Sequence, residues 1–331
     1  LKTARLWSSG SRSFWSGRFR GEIRMFSRIL IANRGEVALR IMRTCREMGI
    51  RTVVAHSAAD RGSLPVMLAD RSVCIGPAPA SESYMNIAAI LSAAEINNVD
   101  AIHPGYGFLA ENPDFAEACE AGNIRFIGPP AAVMRKLCDK MEARNLAANL
   151  KIPVVPASIG PVETEAEALD AAARLGYPVI LKSCRGGGGR GVRVVHNDIA
   201  LRSAIAIARN EASNSFGGSG CFIEKCIQGA RHIEVQLLGD SHGNIVHLGE
   251  RECSIQRRHQ KLIEETPASG ISADLARALH AAALKLGRAV GYCGAGTVEF
   301  LVDKNGNYYF IEMNARLQVE HPVTEMVTGI D

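Results

Sequence analysis

The sequence lacks any hydrophobic run near the roughly 20 residues that a membrane-spanning helix needs. It also lacks a strong excess of charge: the net charge is +4 over 331 residues, and no dense tract of lysine or arginine follows the first residues. A dedicated nucleic-acid surface would need such a tract. We therefore expect no membrane and no nucleic-acid partner. Hydrophobic residues make up 47% and charged residues 22%, which is typical of a globular chain long enough for two domains.

Cysteine patterns typical of disulfide frameworks and zinc sites are also missing. The chain has nine cysteines, an odd number, and no two of them form a Cys-x-x-Cys pair. Scattered cysteines of this kind indicate buried or unreactive thiols in a reducing compartment.

Acidic residues are absent from residues 1–21, which carry four arginines and five serines. Such a leader resembles a mitochondrial transit peptide. The alternatives are a disordered leader and untranslated sequence read in frame ahead of Met25. We predict a leader or transit-like segment over 1–25. The expected location is the mitochondrial matrix if it is a transit peptide, and a bacterial-type cytoplasm otherwise. The arginines are Arg5, Arg12, Arg18 and Arg20.

Strand and helix patterns alternate after the leader. The run at 29–32 predicts a strand, and the pattern over 36–48 predicts a helix that Gly49 ends. Repeated strand–helix–strand units favour a parallel sheet wound with helices, whose ligand loops follow the carboxyl ends of the strands. The loops at 33–36 and 103–112 fall there. Farther along, one helix is predicted over 131–150, and strand patterns dominate from residue 220 onward.

Four consecutive glycines occupy 186–189, between a predicted strand that ends at Lys182 and another at 192–195. No GK[ST] follows, which excludes a Walker loop, and the strand that follows excludes a Rossmann fingerprint. Glycine is costly in chain entropy but allows close backbone approach. The run therefore suits a flap over phosphates, with Lys182 as an added point charge. The alternative is a plain flexible hairpin loop.

The segment 296–321 carries the most specific local pattern. Asn305-Gly306 between two alternating apolar runs predicts a hairpin with these residues at the two central turn positions. In that register Lys304 faces Asn307, Val302 faces Tyr309, Phe300 faces Ile311 and Glu299 faces Glu312. Directly opposed residues have Cβ atoms about 5 Å apart. The two carboxylates would therefore repel each other, and Lys304 at the turn is too distant to help.

A divalent cation would remove this repulsion between Glu299 and Glu312. Carboxylate oxygens suit Mg²⁺ or Mn²⁺, and Asn314 adds an oxygen on the same strand face. Two alternatives remain open: one glutamate of the pair has a raised pKa, or the hairpin is a solvated edge with a slipped register.

Three further segments carry polar side chains that suit substrates. Arg316 and Glu320 could bind and deprotonate a carboxylate-like anion such as bicarbonate, or form an ordinary salt bridge. The basic segment 250–265 suits a polyphosphate or bicarbonate, or is a solvated loop. The segment 222–236 could hold a purine by its edge, although a lone histidine such as His232 is usually structural.

Taken together, these segments resemble the biotin carboxylase family of ATP-grasp enzymes, from about residue 26 to the end of the chain. The motifs are ILIANRGEVALR, HPGYGFLAEN, CDK, GGGGRG, EKCIQGARHIEVQ, ERECSIQRRHQK, GTVEF and FIEMNARLQVEHPVTEM. RRHQK and EMNARLQVEH are specific, because general ATP-grasp ligases do not share them.

The resemblance implies an α/β fold. A doubly wound, Rossmann-like N-terminal domain is expected over 26–136, followed by an ATP-grasp α+β domain over 137–331, with a mobile lid at about 155–228. The family continues beyond the point where this chain stops. We therefore expect a fragment whose C-terminal part is missing and whose ATP-grasp domain is incomplete.

The resemblance also implies roles for individual residues. Nucleotide binding is implied for Lys140, Lys182, Gly187, Gly188, Gly189, Glu224, Lys225, Ile227, His232, Gln256 and His259. Metal binding is implied for Glu299, Glu312 and Asn314. The bicarbonate pocket is implied for Lys261, Arg316, Gln318 and Val319, with Glu320 as the general base.

The implied reaction has two steps. Glu320 deprotonates bicarbonate, which attacks the γ-phosphoryl group of ATP to form carboxyphosphate, while metal ions and lysines disperse the charge. Carboxyphosphate releases CO₂, which the ureido nitrogen of biotin captures. The implied cofactors are ATP and two Mg²⁺ or Mn²⁺ ions, with biotin as a substrate on a carrier domain. The implied partners are a carboxyltransferase component and a second copy of the chain, or a larger carboxylase complex.

Two departures from the family pattern are Arg185, before the glycines, and Ala315, where many members have Thr. Both resemble acyl-CoA carboxylases of the methylcrotonyl or propionyl type. One alternative function is another ATP-grasp carboxylate–amine ligase, which would lack RRHQK and the pair of Arg316 and Glu320. The other is a catalytically incomplete nucleotide-binding fragment.

Overall fold

The structure is a computed structural model that describes residues 26–184, 192–214 and 220–331. The predicted leader and the glycine run, with Gly187, Gly188 and Gly189, lie outside the described residues. No helix among the described residues combines the length and the apolar character needed to cross a bilayer.

The first part of the chain forms a five-stranded parallel sheet of order β3-β2-β1-β4-β5. Its strands are β1 Arg28–Ile31, β2 Arg51–Ser57, β3 Arg71–Gly76, β4 Ala101–His103 and β5 Arg125–Phe126. Strands β1 and β2 are almost entirely buried, as expected for parallel strands covered on both faces. The strand order reverses between β1 and β4, and such a switch point is where open α/β sheets bind ligands. The predicted doubly wound arrangement is confirmed.

Six α-helices belong to this part of the described chain. They are α1 Gly35–Glu47, α2 Leu64–Leu68, α3 Ile87–Ile96, α4 Pro113–Ala121, α5 Ala131–Cys138 and α6 Lys140–Asn149. Helix α1 buries Val37, Ile41 and Cys45 of the predicted apolar stripe, whereas its fourth member, Met48, is the exposed C-cap. Gly49 follows with a φ of 72°. Only glycine adopts that backbone conformation without strain.

The prediction of one helix over 131–150 is wrong, because Asp139 separates two helices, α5 and α6. The backbone of Asp139 is extended, and its carboxylate accepts hydrogen bonds from the backbone N–H groups of Met141 and Glu142. This is an N-cap, which satisfies the first donors of a new helix. The break matters for the site because it puts Lys140 at the first position of α6.

A three-stranded antiparallel sheet of order β7-β6-β8 follows. Its elements are α7 Glu165–Leu175, β6 Val179–Ser183, β7 Arg193–Val195, α8 Asp198–Asn214 and β8 Cys221–Lys225. Helix α7 begins with a capping box between Thr164 and Glu167. The two helices and this sheet share their own apolar core, which includes Ala172, Leu181 and Leu201.

A second five-stranded sheet, antiparallel throughout, has the order β11-β10-β9-β12-β13. Its strands are β9 Arg231–Gly239, β10 Ile245–Arg257, β11 Gln260–Glu265, β12 Gly294–Val302 and β13 Tyr308–Asn314, with helices α9 Ala273–Val290 and α10 His321–Thr328. Helix α9 lies so close to the sheet that a Cβ at Gly287 would be 2.4 Å from Ile245 Cδ1. The largest apolar core contains residues of both five-stranded sheets, including Leu30, Ile102 and Phe310.

Candidate active site

Acidic side chains oppose each other across the antiparallel sheet. Glu299 on β12 pairs directly with Glu312 on β13, as the sequence predicts. On its other side Glu299 pairs with Glu234 on β9, and Glu234 pairs with Arg251 on β10. We call these four directly opposed residues the charged row. Since like charges directly opposite destabilise a sheet, the three acids in the row require cations from elsewhere.

The predicted pairing of Glu299 with Glu312 is correct, but it depends on a register shift that the sequence does not indicate. The predicted pairs Val302–Tyr309 and Phe300–Ile311 are wrong: Val302 pairs with Tyr308 and Phe300 with Phe310. The predicted pair of Lys304 and Asn307 lies inside a longer loop. A register shift between Glu299 and Phe300 then compensates for the longer turn. Such a shift is a β-bulge, which adds one residue to one strand.

The longer turn is held by Asp303. Its backbone N–H donates to Asn307 O at 2.9 Å, and its carboxylate accepts hydrogen bonds from the N–H groups of Asn305 and Asn307. An Asp side chain that binds its own loop in this way stabilises a turn locally. The Asn-Gly pair is therefore part of a loop closed by Asp303 rather than a two-residue turn.

Lys261, from β11, supplies the cation closest to the row. Its ammonium lies 3.0 Å from Glu299 Oε1 and 2.5 Å from Glu320 Oε1, and it also forms a salt bridge with Glu234. Burial alone would lower the pKa of Lys261, but the three carboxylates raise it strongly. Burial alone would also raise the pKa of Glu299, yet Lys261 and His232 hold it well below its ordinary value. The site therefore carries a charged lysine next to the ionised carboxylate of Glu299.

Lys140 balances the far end of the charged row. Its Nζ lies 2.8 Å from Glu312 Oε2. Burial would lower the pKa of Lys140, but Glu312, and after it Glu299 and Glu224, raise it. Lys182 in turn forms a salt bridge with the buried Glu224. The two lysines predicted to bind phosphate thus line the same acidic region, although each is paired with a glutamate.

His232 and Gln256 are also brought to the row. His232 Nε2 lies 3.1 Å from Glu299 Oε2, and its Nδ1 lies 2.9 Å from Gln256 Nε2. Burial lowers the pKa of His232, but the neighbouring Glu299 carboxylate outweighs burial and raises it. These two residues, predicted on the nucleotide side, lie beside the carboxylate predicted to bind metal.

The loop after β13 carries the predicted anion-binding residues. Arg316 does not use Glu320 as its partner: its Nε donates to Glu111 Oε2 at 2.9 Å, and its Nη2 donates to Asn314 Oδ1 at 3.2 Å. The backbone N–H of Ala315 also donates to Glu111. The carboxylate of Glu320 is bound instead by Lys261. Glu111, which comes from the 103–112 loop of the parallel sheet, was missed by sequence reasoning.

Arg251 and Glu234 are the other important residues that sequence reasoning missed. Both are fully buried and form an ion pair in which Arg251 Nε donates to Glu234 Oε1 at 2.6 Å. A signal was present along β9, where His232, Glu234 and Gln236 alternate with apolar residues. A strand with one polar face that is nevertheless buried indicates a site face.

Some predicted residues are not gathered at the row. The ammonium of Lys225 donates to Gly176 O at 2.7 Å, and Ile227 is half-buried in the connection after β8. His259 is exposed in the tight turn between β10 and β11, where its φ is 64°. Val319 is 60% exposed. Gln318, in contrast, is buried, and its Nε2 donates to Glu299 Oε1 at 3.1 Å.

The donors around Glu299 and Glu312 fit a hard divalent cation. Two opposed carboxylates and the Asn314 amide offer oxygen atoms, the ligands that Mg²⁺ prefers. Asn314 Nδ2 donates to Glu299 Oε1 at 2.8 Å, so these two side chains are in contact, and Glu312 lies opposite Glu299 in the register of the sheet. Among the described residues, the tightest groups of potential ligands are His232, Glu234, Glu299 and Glu234, Cys253, Glu320. Those groups share Glu234, which Arg251 and Lys261 already neutralise.

Loops from the parallel sheet complete the site, as their predicted position at the strand ends indicates. Asn33, after β1, donates to Pro104 O and Tyr106 O, both at 2.7 Å. The hydroxyl of Tyr106 donates to Glu36 Oε2 at 2.6 Å. Tyr106 and Leu317 both pack against the same apolar cluster, and Glu111 of the 103–112 loop accepts a hydrogen bond from Arg316. The two predicted ligand loops therefore contact each other at the switch point and reach the 315–320 loop.

We expect His103 to make the protein less stable in acid. Burial, with a smaller effect of His321, lowers the pKa of His103 to about 4 from an ordinary value of 6.5. Between these values the unfolded chain binds more protons than the folded one. Stability therefore falls as the pH falls through this window, by at most about 1.4 kcal/mol per pH unit. Its Nδ1 accepts a hydrogen bond from the Gly105 N–H at 3.0 Å, so the neutral ring is the form that fits.

Urea unfolding at about pH 7 and about pH 5 tests this expectation, because the linkage slope is read from the difference. His103→Asn keeps an acceptor but cannot titrate, and should lose less stability in acid than the wild type. His242→Asn, at an exposed histidine, is the matched control and should behave as the wild type. An equal loss in the wild type and in His103→Asn would contradict the assignment.

Two family models match the chain. The model described as "Biotin carboxylase, N-terminal domain" matches residues 25–134, and "Carbamoyl-phosphate synthase L chain, ATP binding domain" matches residues 139–331. Together they cover the described structure from β1 to α10 except for residues 135–138, the second half of α5.

Relatives and solved structures agree with these models. The chain is 54% identical to the biotin carboxylase of Allochromatium vinosum over 308 residues, which cover 93% of this chain and 68% of that protein. It is 48% identical to the mitochondrial propionyl-CoA carboxylase alpha chain of Homo sapiens, over 97% of this chain and 44% of that one.

One similar solved structure is the biotin carboxylase domain dimer of the Hydrogenobacter thermophilus 2-oxoglutarate carboxylase, in complex with MgADP, ADP and bicarbonate. It has a TM-score of 0.90 and 45% identity, and the match covers 93% of this chain and 68% of that chain.

Proposed function

We propose, since this chain belongs to the biotin carboxylase family, that it is an ATP-dependent ligase that carboxylates biotin. Bicarbonate is activated by ATP to carboxyphosphate, and its carboxyl group is transferred to biotin on a carrier protein. The product then feeds an acyl-CoA carboxylase. The chain matches 68% of the length of the biotin carboxylase of Allochromatium vinosum, and the proposal concerns the activity of the full-length protein.

The observation that carries the proposal is the meeting of Lys261 and Glu320. They lie 59 positions apart in sequence, yet Lys261 Nζ is 2.5 Å from Glu320 Oε1 in a partly buried cluster. A cation that attracts an anion, next to a carboxylate that takes its proton, is what activation of bicarbonate requires. A general carboxylate–amine ligase has no use for this pair, so the geometry favours bicarbonate over an amino-acid substrate.

The proposed chemistry uses Lys261 of β11 and residues of the 315–320 loop. Lys261, Arg316, Gln318 and the backbone at Val319 bind bicarbonate, and Glu320 removes its proton. The resulting oxyanion attacks the γ-phosphorus of ATP, the bond to the β-phosphate oxygen breaks, and ADP leaves. Carboxyphosphate then splits into phosphate and CO₂. A ureido nitrogen of biotin attacks CO₂ to form the new carbon–nitrogen bond, and its N–H proton passes to the released phosphate.

The nucleotide is proposed to lie between the three-stranded sheet and the charged row. Lys140 and Lys182 would exchange their glutamate partners for oxygens of the triphosphate, which carries more negative charge than a single carboxylate. His232 and Gln256 are near enough to Glu299 to contact the same ligand. The further proposed nucleotide residues are Glu224, Lys225, Ile227 and His259, together with Gly187, Gly188 and Gly189 outside the described residues.

Magnesium is proposed to bind Glu299, Glu312 and Asn314. When bound, the ion would neutralise developing charge on the phosphates. The MgADP complex of the Hydrogenobacter thermophilus domain supports the choice of Mg²⁺. Use of Mn²⁺ and a second ion belong to the same proposal, since two opposed carboxylates have enough oxygen atoms to bridge two cations.

The proposed organisation is an N-terminal domain over 26–136 and an ATP-grasp domain over 137–331, with a lid at about 155–228. The proposed partners are a biotinylated carrier domain, a carboxyltransferase component and a second copy of the chain. The dimer of the Hydrogenobacter thermophilus domain supports the last of these. The acid-free leader at 1–21, together with a relative named as mitochondrial, supports the matrix as the location; a bacterial-type cytoplasm is the alternative.

The test is an ATP-cleavage assay on the full-length protein with Mg²⁺, with and without bicarbonate and free biotin. We expect cleavage to require bicarbonate and to produce carboxylated biotin, because the attacking oxygen comes from bicarbonate. Cleavage that depends on an amine and an organic carboxylate would support a ligase of the other kind. ATP binding without any bicarbonate-dependent cleavage would support a nucleotide-binding fragment.

A further inference from the structure

Arg251 is a fully buried guanidinium whose donors are all occupied. An arginine has five N–H donors in a fixed fork. Its Nε donates to Glu234 Oε1, its Nη1 to Gln236 Oε1 and Thr324 Oγ1, and its Nη2 to Thr297 Oγ1 and Gln318 Oε1. The distances are 2.6, 2.7, 2.9, 3.3 and 2.9 Å. All five bonds go to protein side chains, so Arg251 fixes the positions of other protein groups.

The five acceptors come from four separate pieces of chain. Glu234 and Gln236 belong to β9, Thr297 belongs to β12, Gln318 belongs to the 315–320 loop, and Thr324 belongs to α10. The 315–320 loop follows β13 and carries the proposed anion-binding residues Arg316, Gln318, Val319 and Glu320, and α10 comes directly after it. Arg251 therefore connects the 315–320 loop and α10 to strands β9 and β12.

Two of these bonds lead to the proposed bicarbonate pocket. Gln318 accepts from Arg251 through Oε1, which turns its amide nitrogen toward Glu299. Glu234 accepts from Arg251 through Oε1 and binds Lys261 through Oε2. The position of Lys261 and the orientation of the Gln318 amide both depend on the same guanidinium.

We propose that Arg251 is a positioning residue for bicarbonate, and this inference rests on the proposed function. It holds Lys261 through Glu234 and Gln318 directly, so that two groups of the proposed bicarbonate pocket are set at a fixed spacing. A buried ion pair is weak evidence for a role in stability, because apolar residues of similar volume often replace one without loss. A role in geometry explains why the fork has five partners rather than one.

Lysine cannot replace Arg251 in this role. Its ammonium has three donors and no planar fork, so it keeps the charge beside Glu234 but loses contact with the loop or the helix. Arg251→Lys therefore separates the geometric role from simple charge balance. Thr324→Val is a milder change, since it removes one acceptor of Arg251 with little change in shape.

The test uses steady-state ATP cleavage by the full-length protein, with bicarbonate and ATP varied in turn. For Arg251→Lys we expect the KM for bicarbonate to rise about tenfold or more, as expected for lost bonds to a charged group. The KM for ATP should stay within about twofold, because Arg251 donates directly to none of the proposed nucleotide residues. Thr324→Val should raise the KM for bicarbonate about threefold and lower the melting temperature by only about 2–4 °C, because one buried N–H of Arg251 loses its acceptor.

Thr328→Val is the matched control, because Thr328 lies on the same helix and donates to Thr324 O at 2.8 Å rather than to the network. It should leave the KM for bicarbonate unchanged. Equal rises in both KM values, or an unchanged KM for bicarbonate in Arg251→Lys, would overturn the inference. If Arg251→Lys does not fold, an unchanged KM in Thr324→Val overturns it. A wild type without bicarbonate-dependent cleavage overturns the proposed function as well, whereas an active wild type with unaffected variants overturns only this inference.

Discussion

Replacing Glu320 by glutamine is expected to lower bicarbonate-dependent ATP cleavage by about 10²–10⁴-fold, the range that a positioned general base contributes. Glutamine has nearly the same shape but cannot accept the bicarbonate proton. It also leaves Lys261 with two carboxylate partners instead of three. The Lys140–Glu312 and Lys182–Glu224 pairs do not involve Glu320, so the affinity for ATP should stay within about twofold.

The control for Glu320→Gln is Glu325→Gln, one turn and a half farther along the chain. Glu325 lies on α10 and interacts with Arg40 and with His321 Nε2, the latter at 3.1 Å, away from Lys261. It should retain the wild-type rate. Turnover of Glu320→Gln at the wild-type rate would show that another group takes the proton. Loss of ATP binding together with turnover would instead indicate a structural defect.

Local sequence signals predict the elements of this fold well where they are self-contained. The apolar stripe of α1 and the glycine after it need no distant partner, and both are found where predicted. The break at Asp139 is different, because the apolar spacing continues across it. The break is evident only from the hydrogen bonds of the Asp139 carboxylate, which caps α6. An aspartate within an otherwise helical pattern does not by itself predict an N-cap.

The predicted pairing of Glu299 with Glu312 is correct because two differences from the predicted hairpin, a longer turn and a β-bulge, compensate for each other. The turn is longer than the Asn-Gly rule indicates because Asp303 closes it, and a bulge beyond Phe300 restores the register. A bulge has no strong local signature, since its residues are ordinary strand residues. Register near a turn is therefore less predictable than the polar face of the strand, which already indicates the site.

The cations around the acids could not be predicted from the hairpin alone. In the sequence of the hairpin, Lys304 is the sole positive charge. The sequence therefore predicts a metal ion that relieves the repulsion between Glu299 and Glu312. The structure brings Lys140 and Lys261 to the row from α6 and β11, more than 35 residues away from either acid. Each acid is thus neutralised without a metal ion, and a bound cation has to compete with a lysine for its ligands.

Replacing Lys261 by methionine is expected to have the largest effect on stability. Glu234, Glu299 and Glu320 share this one ammonium, and its side chain is 16% exposed. Removing one partner of a buried ion pair costs about 3–5 kcal/mol, because the remaining charges stay buried. Bicarbonate-dependent cleavage should fall by about 10²-fold or more, since the anion loses its nearest cation.

The pH dependence distinguishes this electrostatic loss from simple loss of packing. In the wild type, Lys261 and His232 hold the pKa of Glu299 below its ordinary value, which stabilises the fold at neutral pH and is lost as the pH falls. In Lys261→Met the carboxylates gain protons on folding, so their penalty shrinks as the pH falls. The difference in unfolding free energy between wild type and variant should therefore be smaller at about pH 5.5 than at about pH 7.5. Lys304→Met, at an exposed lysine in the hairpin loop, should match the wild type at both values. A deficit of Lys261→Met that does not change with pH would mean that the methylene chain, rather than the charge, holds this part of the sheet together.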